Sequence, residues 1–204
     1  MKKLLASLLL LASTAPQATR AAETRTARAI FAGGCFWCMD SPYTGLPGVL
    51  SVTAGYAGGT VANPSYDMVS MGVTGHAESV QIVYDPARIT YERLLDVYWR
   101  NVDPFAKNSQ FCDYGSQYRT VIFYANEDEH RLVLASKARV EKRFGRPPVT
   151  EVVAAGAFYP AEEYHQGFCR KNPGRYQAYR IGCGRDQRLK ELWGDEAGGH
   201  GGTP

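Results

Sequence analysis

The chain has 204 residues, 23 Lys and Arg against 20 Asp and Glu, and five cysteines. Lys2, Lys3 and Arg20 lie in the first 21 positions, which hold no acid, so residues 22–204 carry 20 of each sign and no formal charge. That balance speaks against nucleic acid or an anionic membrane as partner, and about 180 residues suffice for one well-buried domain.

The N-terminus reads as a targeting segment. Lys2 and Lys3 precede an apolar run, Leu4 to Ala12, which is too short to span a bilayer. Thr19-Arg20-Ala21 places small residues where a signal peptidase reads. Residues 1–21 are therefore expected to be a signal peptide cut after Ala21, with Ala22 as the second choice, and the mature chain to be exported. A retained anchor is the alternative. No cysteine follows the apolar run closely, which argues against lipidation. Residues 22–28 form a flexible leader.

The cysteines are Cys35, Cys38, Cys112, Cys169 and Cys183. An odd number in an oxidising compartment leaves at least one thiol without an intramolecular partner. The spacing is not that of a disulfide scaffold. Cys35 and Cys38 could be half of a zinc site, but no second close pair follows, so no metal is expected. Met39 stands where a c-type haem motif needs His.

Arg28 to Ala32 reads as a strand, and Met39-Asp40-Ser41 continues a helical turn before Pro42. Between them, Gly33-Gly34-Cys35-Phe36-Trp37-Cys38 puts Cys35 at a strand-to-helix junction, where unpaired N–H groups lower a thiol pKa. The double glycine allows close approach, and Phe36 and Trp37 can wall a pocket. A buried, inert cysteine is the alternative, outweighed by these neighbours. Val49 to Thr53 reads as a strand running into a glycine-rich loop, Ala54 to Gly59, which lacks the spacing of a phosphate loop. Asn63-Pro64-Ser65-Tyr66 is a turn that presents Tyr66, either for function or as an amphipathic surface residue.

From Glu78 to Tyr84 the alternation puts Glu78 on one face with Val80 and Ile82. If that face is core, burial raises the Glu78 pKa and makes it a general acid; otherwise it is an exposed strand end. His76 reads as structural. Thr90 caps a helix from Tyr91 to Asn101, with Arg93 at the position a capping box gives to Glu. A polar and aromatic loop, 107–118, precedes a strand from Arg119 to Ala125. Asn126 caps a helix to about Phe144, with acids in its first turn and Lys142 and Arg143 in its last. A strand from Val149 to Ala154 comes next, then a short helix from Pro160 to about Cys169, ended by Asn172-Pro173-Gly174. Residues 195–204 are glycine-rich and expected to be a disordered tail. Interspersed strands and helices without a βαβ period give an α+β, two-layer, single-domain fold.

Gly33-Gly34-Cys35-Phe36-Trp37, Gly75-His76-Ala77-Glu78, Asp113-x-Gly115-Ser116-Gln117-Tyr118-Arg119 and Tyr164-His165-Gln166, in that order, resemble the A-type peptide methionine sulfoxide reductases. The likeness spans about residues 29–193 and bounds the expected domain at 29–194. It implies an α/β sandwich with a ferredoxin-like core. It also implies reduction of the S epimer of methionine sulfoxide, free or in oxidised proteins and peptides. Cys35 would attack the sulfoxide sulfur, Glu78 protonate its oxygen, Tyr66 and Tyr118 hydrogen-bond that oxygen, and Asp113 orient the polar side. Phe36 and Trp37 would hold the methyl group. A sulfenic acid at Cys35 would become a disulfide, reopened by a thioredoxin-like external dithiol with no bound cofactor; the chain would act as a monomer.

The resolving thiol is expected to be Cys183, freed to swing by Gly182 and Gly184 and lying where the family keeps such cysteines. Cys38 is next, though a disulfide across one turn needs both side chains to rotate. Cys112 is third, and Cys169 reads as a packing residue. The commonest family form has glycine at the Cys38 position. A rival function is an exported dithiol–disulfide oxidoreductase using Cys35 and Cys38; it leaves Glu78 and the two tyrosines without a task.

Overall fold

The alternation of Glu78 to Tyr84 belongs to the central strand of a six-stranded sheet, in a computed structural model that describes residues 26–199. The expected signal peptide and residues 22–25 of the leader lie outside the described residues; Ala27 and Arg28, expected in the leader, instead begin the first strand, paired with Tyr84 and Val83. In chain order the elements are β1 (Ala27–Gly33), α1 (Phe36–Asp40), β2 (Val49–Ala57), α2 (Tyr66–Ser70), β3 (Ala77–Tyr84) and α3 (Tyr91–Arg100). Next come β4 (Ser109–Gln110), β5 (Asp113–Tyr114), β6 (Thr120–Tyr124), α4 (Glu127–Phe144), β7 (Glu151–Ala154), β8 (Phe158–Pro160), α5 (Phe168–Lys171), α6 (Pro173–Gly182) and α7 (Arg185–Trp193). The sheet order is β7-β6-β1-β3-β2-β8, and only β6 and β7 run parallel. Strands β4 and β5 form a separate hairpin. This is the α+β single domain expected. Among the described residues no helix is long and apolar enough to cross a membrane.

Register follows from the pleat. Phe31 faces Val80 and Ala29 faces Ile82, and these four share one core with Tyr56, Ile122 and the apolar side of α3. Ala32, Ala57, Ala77, Val121 and Phe123 form a smaller cluster on the other face. Helix α3 is fixed to the sheet by polar anchors as well: the Tyr98 hydroxyl donates to the Ala32 carbonyl (2.9 Å), and the Trp99 indole donates to Ser136 of α4 (3.1 Å). Thr90 and Asn126 accept N–H bonds from Arg93 and Glu129 at the starts of α3 and α4, as expected of caps.

Four local expectations change. The stretch Ala54–Ala57 is not loop but the end of β2, because β8 pairs along it. Ser65 accepts the Met68 N–H and starts the short α2, so the turn presents Tyr66 on a helix. No single helix runs from Pro160 to Cys169: Gln166 bonds both the N–H and the carbonyl of Ala54, and Ala161 N–H bonds the same carbonyl. The segment is held along the sheet edge as β8 and a single turn, Glu163–His165, before α5. Asn172-Pro173-Gly174 closes a helix as expected, with the Asn172 N–H bonded to the Phe168 carbonyl at the end of α5, but it also opens α6, since proline in the first turn lacks only an N–H that would be unpaired there. The tail differs too: Glu196 bridges Arg100 and Arg143, both at 2.6 Å, and Gly198 N–H bonds the Arg100 carbonyl. Residues 195–199 are therefore part of the fold; 200–204 lie outside the described residues.

Gly55 marks a close backbone crossing, since a Cβ there would collide with the Tyr159 carbonyl oxygen and the Phe158 ring. Gly55→Ala is expected to lower stability by about 1–3 kcal/mol, the usual cost of overpacking, measured by urea unfolding. A midpoint equal to wild type would show that β8 is not held this closely.

Candidate active site

Gly33 and Gly34 end β1 in a turn that needs glycine. Gly34 has φ 89° and a Cβ there would lie 2.5 Å from the Gln110 side chain. The turn delivers Cys35 as the N-cap of α1. Its carbonyl accepts from the N–H of Cys38 (2.9 Å) and Met39 (3.2 Å). The free N–H of the first helical residue, Phe36, goes to Glu78 Oε2 at 3.1 Å. The helix start therefore serves the carboxyl group and not the Cys35 sulfur.

That assignment reverses one expectation. Cys35 is buried, 6 % exposed. Burial, then a hydrogen bond with Cys38, then the Glu78 carboxyl push its thiol well above the usual range. Cys38 goes the other way: the bond from Cys35, followed by the guanidinium groups of Arg185 and Arg180, outweighs burial and brings it down to about 6. The lowered thiol of the pair is Cys38.

Glu78 is 2 % exposed at the open end of the apolar layer shared with Val80 and Ile82. Burial is the largest influence on it. The nearby Asp113 and Cys38 add to that effect, the Phe36 N–H opposes it, and the carboxyl is raised to about 8. It is a neutral acid at neutral pH.

All seven catalytic and substrate-binding residues expected from the sequence line one cavity of about 100 Å³: Cys35, Phe36, Trp37, Tyr66, Glu78, Asp113 and Tyr118. An eighth, Tyr179, was not foreseen. Its hydroxyl donates to Asp113 Oδ2 at 2.5 Å, and burial raises the Asp113 carboxyl in spite of that bond. Burial also holds the tyrosine hydroxyls in their protonated, donating form: Tyr66 is raised to about 12 and Tyr118 further.

The aromatic wall has a hidden support. Trp37 Nε1 donates to His165 Nδ1 (3.0 Å), and the His165 ring lies 4.7 Å from Phe36 and 4.5 Å from Tyr66. On its other side Trp37 stacks on Phe168 at 3.7 Å. His165 accepts at Nδ1, so it is neutral, and burial lowers its pKa accordingly. Glu162 fixes the neighbouring α2, taking the Tyr66 N–H at 2.8 Å and the Tyr56 hydroxyl at 2.7 Å. In the sequence, His165 carried only a motif signal and Glu162 none. His76 is structural, as its position in the sequence suggests, bonded to Gly59 N–H and the Val61 carbonyl.

The sulfurs fall into two groups. Cys35 and Cys38 are free and buried, while Cys112 and Cys183 form a disulfide with Cα atoms 4.8 Å apart. Cys183, expected as the partner of Cys35, is thus bonded to Cys112. Cys112 is exposed, and its sulfur is 3.9 Å from Oδ1 of the cavity residue Asp113. Cys169 is free and packs beside Cys38 and Tyr176.

The family model described as peptide methionine sulfoxide reductase matches residues 27–197. The chain belongs to that family. It is 48 % identical over 168 residues to peptide methionine sulfoxide reductase MsrA of Bacillus licheniformis, covering 81 % of this chain and 93 % of that one. Against the MsrA of Halalkalibacterium halodurans it is 49 % identical, covering 84 % and 99 %. Among solved structures, reduced Mxr1 of Saccharomyces cerevisiae superposes with a TM-score of 0.70 at 32 % identity, over 73 % of this chain and 87 % of that one. Methionine sulfoxide reductase A of Corynebacterium diphtheriae gives 0.66 at 29 %, over 74 % and 77 %. The chain is an oxidoreductase that reduces methionine sulfoxide with thiols. The dithiol–disulfide oxidoreductase reading is not favoured: Glu78, Tyr66 and Tyr118, which it leaves without a task, line the cavity with Cys35.

Glu78 gives a direct test. Infrared difference spectra against Glu78→Gln are expected to show a protonated carboxyl band at neutral pH that disappears as pH passes about 8. Because the folded state holds this proton to higher pH than the unfolded chain, stability should fall as pH rises from the ordinary carboxyl range through about 8, and Glu78→Gln should flatten that slope. A carboxylate band already present at neutral pH would contradict the burial effect.

Proposed function

We propose that this reductase carries out its first chemical step with a buried thiol and a neutral carboxylic acid working on one sulfoxide group. The observation that carries this is Glu78: a carboxyl raised to about 8, held by the Phe36 N–H, lining the same cavity as Cys35. The sulfoxide oxygen is a poor leaving group until protonated. Glu78 supplies that proton, Tyr66 and Tyr118 donate hydrogen bonds to the same oxygen, and Asp113, fixed by Tyr179, orders the polar wall. Phe36 and Trp37 hold the methyl group. Cys35 sulfur attacks the sulfoxide sulfur. In net terms, thiol and sulfoxide become sulfenic acid and thioether, with no proton gained or lost overall. The S epimer is the proposed substrate, free or within oxidised proteins and peptides.

Recycling follows from the two sulfur groups. The Cys35 sulfenic acid condenses with a second thiol, losing water and forming a disulfide. Starting from the enzyme with Cys112 and Cys183 both reduced, we place Cys38 ahead of Cys183, because Cys38 already shares a hydrogen bond with Cys35 in the same helical turn, whereas the Cys112–Cys183 disulfide shows that the partner within reach of Cys183 is Cys112. Cys183 then opens the Cys35–Cys38 bond, and Cys112 displaces the active-site sulfur from Cys183. Both active-site thiols are regained, and the oxidation ends at Cys112–Cys183. An external protein dithiol cannot reach Cys38, which is 1 % exposed, but it can reach Cys112. The proposed reductant is thioredoxin-like; one structure similar in fold is that of Mxr1 in complex with Trx2. No prosthetic group enters this scheme.

Two further proposals complete it. Strands β6-β1-β3-β2 are antiparallel neighbours, with α1 between β1 and β2 and α3 between β3 and β6. That supports the ferredoxin-like core, with the large helices on one layer. The basic and apolar start of the sequence supports export after cleavage near Ala21.

Single-turnover assays without reductant test the chemistry. Cys35→Ser is expected to form no methionine. Glu78→Gln keeps the shape and a hydrogen bond but not the transferable proton, so it should slow methionine formation by about 10²–10⁴-fold with little change in substrate affinity. In wild type the rate should fall as pH rises through about 8, where Glu78 ionises. A Glu78→Gln rate within about twofold of wild type would remove the acid role. Peptide mapping of the oxidised enzyme tests the order: Cys35–Cys38 is expected before Cys112–Cys183, and a first linkage of Cys35 to Cys183 would reverse it.

A further inference from the structure

We propose that Arg185 is a positioning residue for the sulfur relay: one buried guanidinium braces the chain beside all four relay cysteines and supplies the positive charge against which a thiolate forms between the two pairs. The inference rests on the disulfide order proposed above.

The contacts are specific. Arg185 is 1 % exposed. Its Nη2 donates to the Asn101 carbonyl at 2.8 Å and lies 3.4 Å from the Gly33 carbonyl and 3.7 Å from Met39 Sδ. Nη1 is 3.8 Å from where a Gly34 Cβ would sit, and Cζ stands 4.3 Å from the centre of the Phe111 ring. Gly34 precedes Cys35, Met39 follows Cys38, Phe111 precedes Cys112, and Arg185 itself follows Cys183 by two residues. A single side chain thus meets a direct chain neighbour of three cysteines and shares the segment of the fourth.

The charge is unusual as well. A fully buried guanidinium is ordinarily matched by a carboxylate, because an unpaired buried charge is costly. Among the described residues no acid forms a salt bridge with Arg185, and its Nε has no partner. Its acceptors are neutral carbonyls, a thioether and an aromatic face. The groups that bear on the Cys38 thiol are Cys35, Glu78, Asp113, Tyr176, Tyr179, Arg180 and Arg185. Of the two cations, Arg180 is held by Asp186 at 2.8 Å. Arg185 also bears on the Asp113 carboxyl, without forming a salt bridge to it, and with no bonded acid of its own it is the cation left to offset a new negative charge at Cys38.

Backbone strain gives the brace a further task. Phe111 has φ 56°, a left-handed conformation that disfavours aromatic residues. The cation over its ring is a contact that holds it there, and with it the backbone that carries Cys112. Removing Arg185 would free the outer pair to drift from the inner pair, and would leave Cys38 without its unneutralised cation.

The test compares wild-type enzyme with Arg185→Met and Arg185→Lys, starting from all thiols reduced. Methionine formed without reductant reports the first step, timed peptide mapping reports the appearance of Cys112–Cys183, and ultraviolet absorbance against pH reports thiolate formation. In Arg185→Met the ratio of outer-disulfide formation to methionine formation is expected to fall at least about tenfold, and thiolate formation to move up by about one pH unit or more. Arg185→Lys should keep the wild-type thiolate profile while the outer disulfide still forms slowly, because lysine keeps the charge but not the planar fork. A folded Arg185→Met enzyme with wild-type ratio and profile would overturn the proposal. If that variant does not fold, an Arg185→Lys enzyme with the wild-type ratio would overturn the brace. Wild type that forms no methionine would instead sink the proposed function. Wild type that forms methionine but no Cys112–Cys183 would sink the relay order and this inference with it.

Discussion

The site depends on keeping one carboxyl group neutral inside an apolar layer. Glu78 sits at the end of the strand whose Val80 and Ile82 are fully buried, and its one backbone donor is the Phe36 N–H. Desolvation costs a carboxylate far more than a carboxylic acid, so the fold itself selects the protonated form. Everything else is arranged around that choice. The Gly33–Gly34 turn brings the Phe36 N–H to the carboxyl and the Cys35 sulfur to the same cavity. The central position of β3, paired on both sides, keeps the strand from moving toward water.

A second consequence of the same burial falls on the thiols. The environment that keeps Glu78 protonated also disfavours a Cys35 thiolate in the empty site. Reactivity therefore has to appear with the substrate, when the sulfoxide oxygen takes up a proton and the attacking sulfur can give one up. The low thiol of the pair is Cys38, lowered first by the hydrogen bond from Cys35 and then by the charges of Arg185 and Arg180. On the proposed mechanism the inner pair divides its labour: Cys35 meets the substrate, and Cys38 condenses with the sulfenic acid that Cys35 then carries.

Much of this was legible in the sequence because it depends on period and on local motifs. The two-residue alternation of Glu78 to Tyr84 put the acid on one face with Val80 and Ile82 while leaving open whether that face was core, and Gly33-Gly34 before Cys35 marked the junction. The seven catalytic and substrate-binding residues named from motifs do meet in one cavity. What escaped was set by distant contacts. The direction of the Cys35 shift depends on burial and on which group claims the Phe36 N–H, neither of which is local. Composition misjudged 195–199, since Gly and acidic residues look loose until Arg100 and Arg143 grip Glu196. Pro160 to Cys169 has the composition of a helix, but Gln166 ties it to the Ala54 backbone. His165, Tyr179 and Arg185 act through partners far away in the chain, so no spacing rule could single them out.

The outer disulfide closes a loop between positions separated by 71 residues, which takes in every element from β5 to α6. Cross-linking a loop of that size removes freedom from the unfolded chain worth about 4 kcal/mol on the chain-entropy model. On the proposed relay, each catalytic cycle makes and breaks this staple. The oxidised enzyme is then expected to be the more heat-resistant species, and the reductant that restores activity to withdraw that reinforcement. An enzyme that answers oxidative damage is in this way toughest at the moment when oxidant is abundant and reductant scarce.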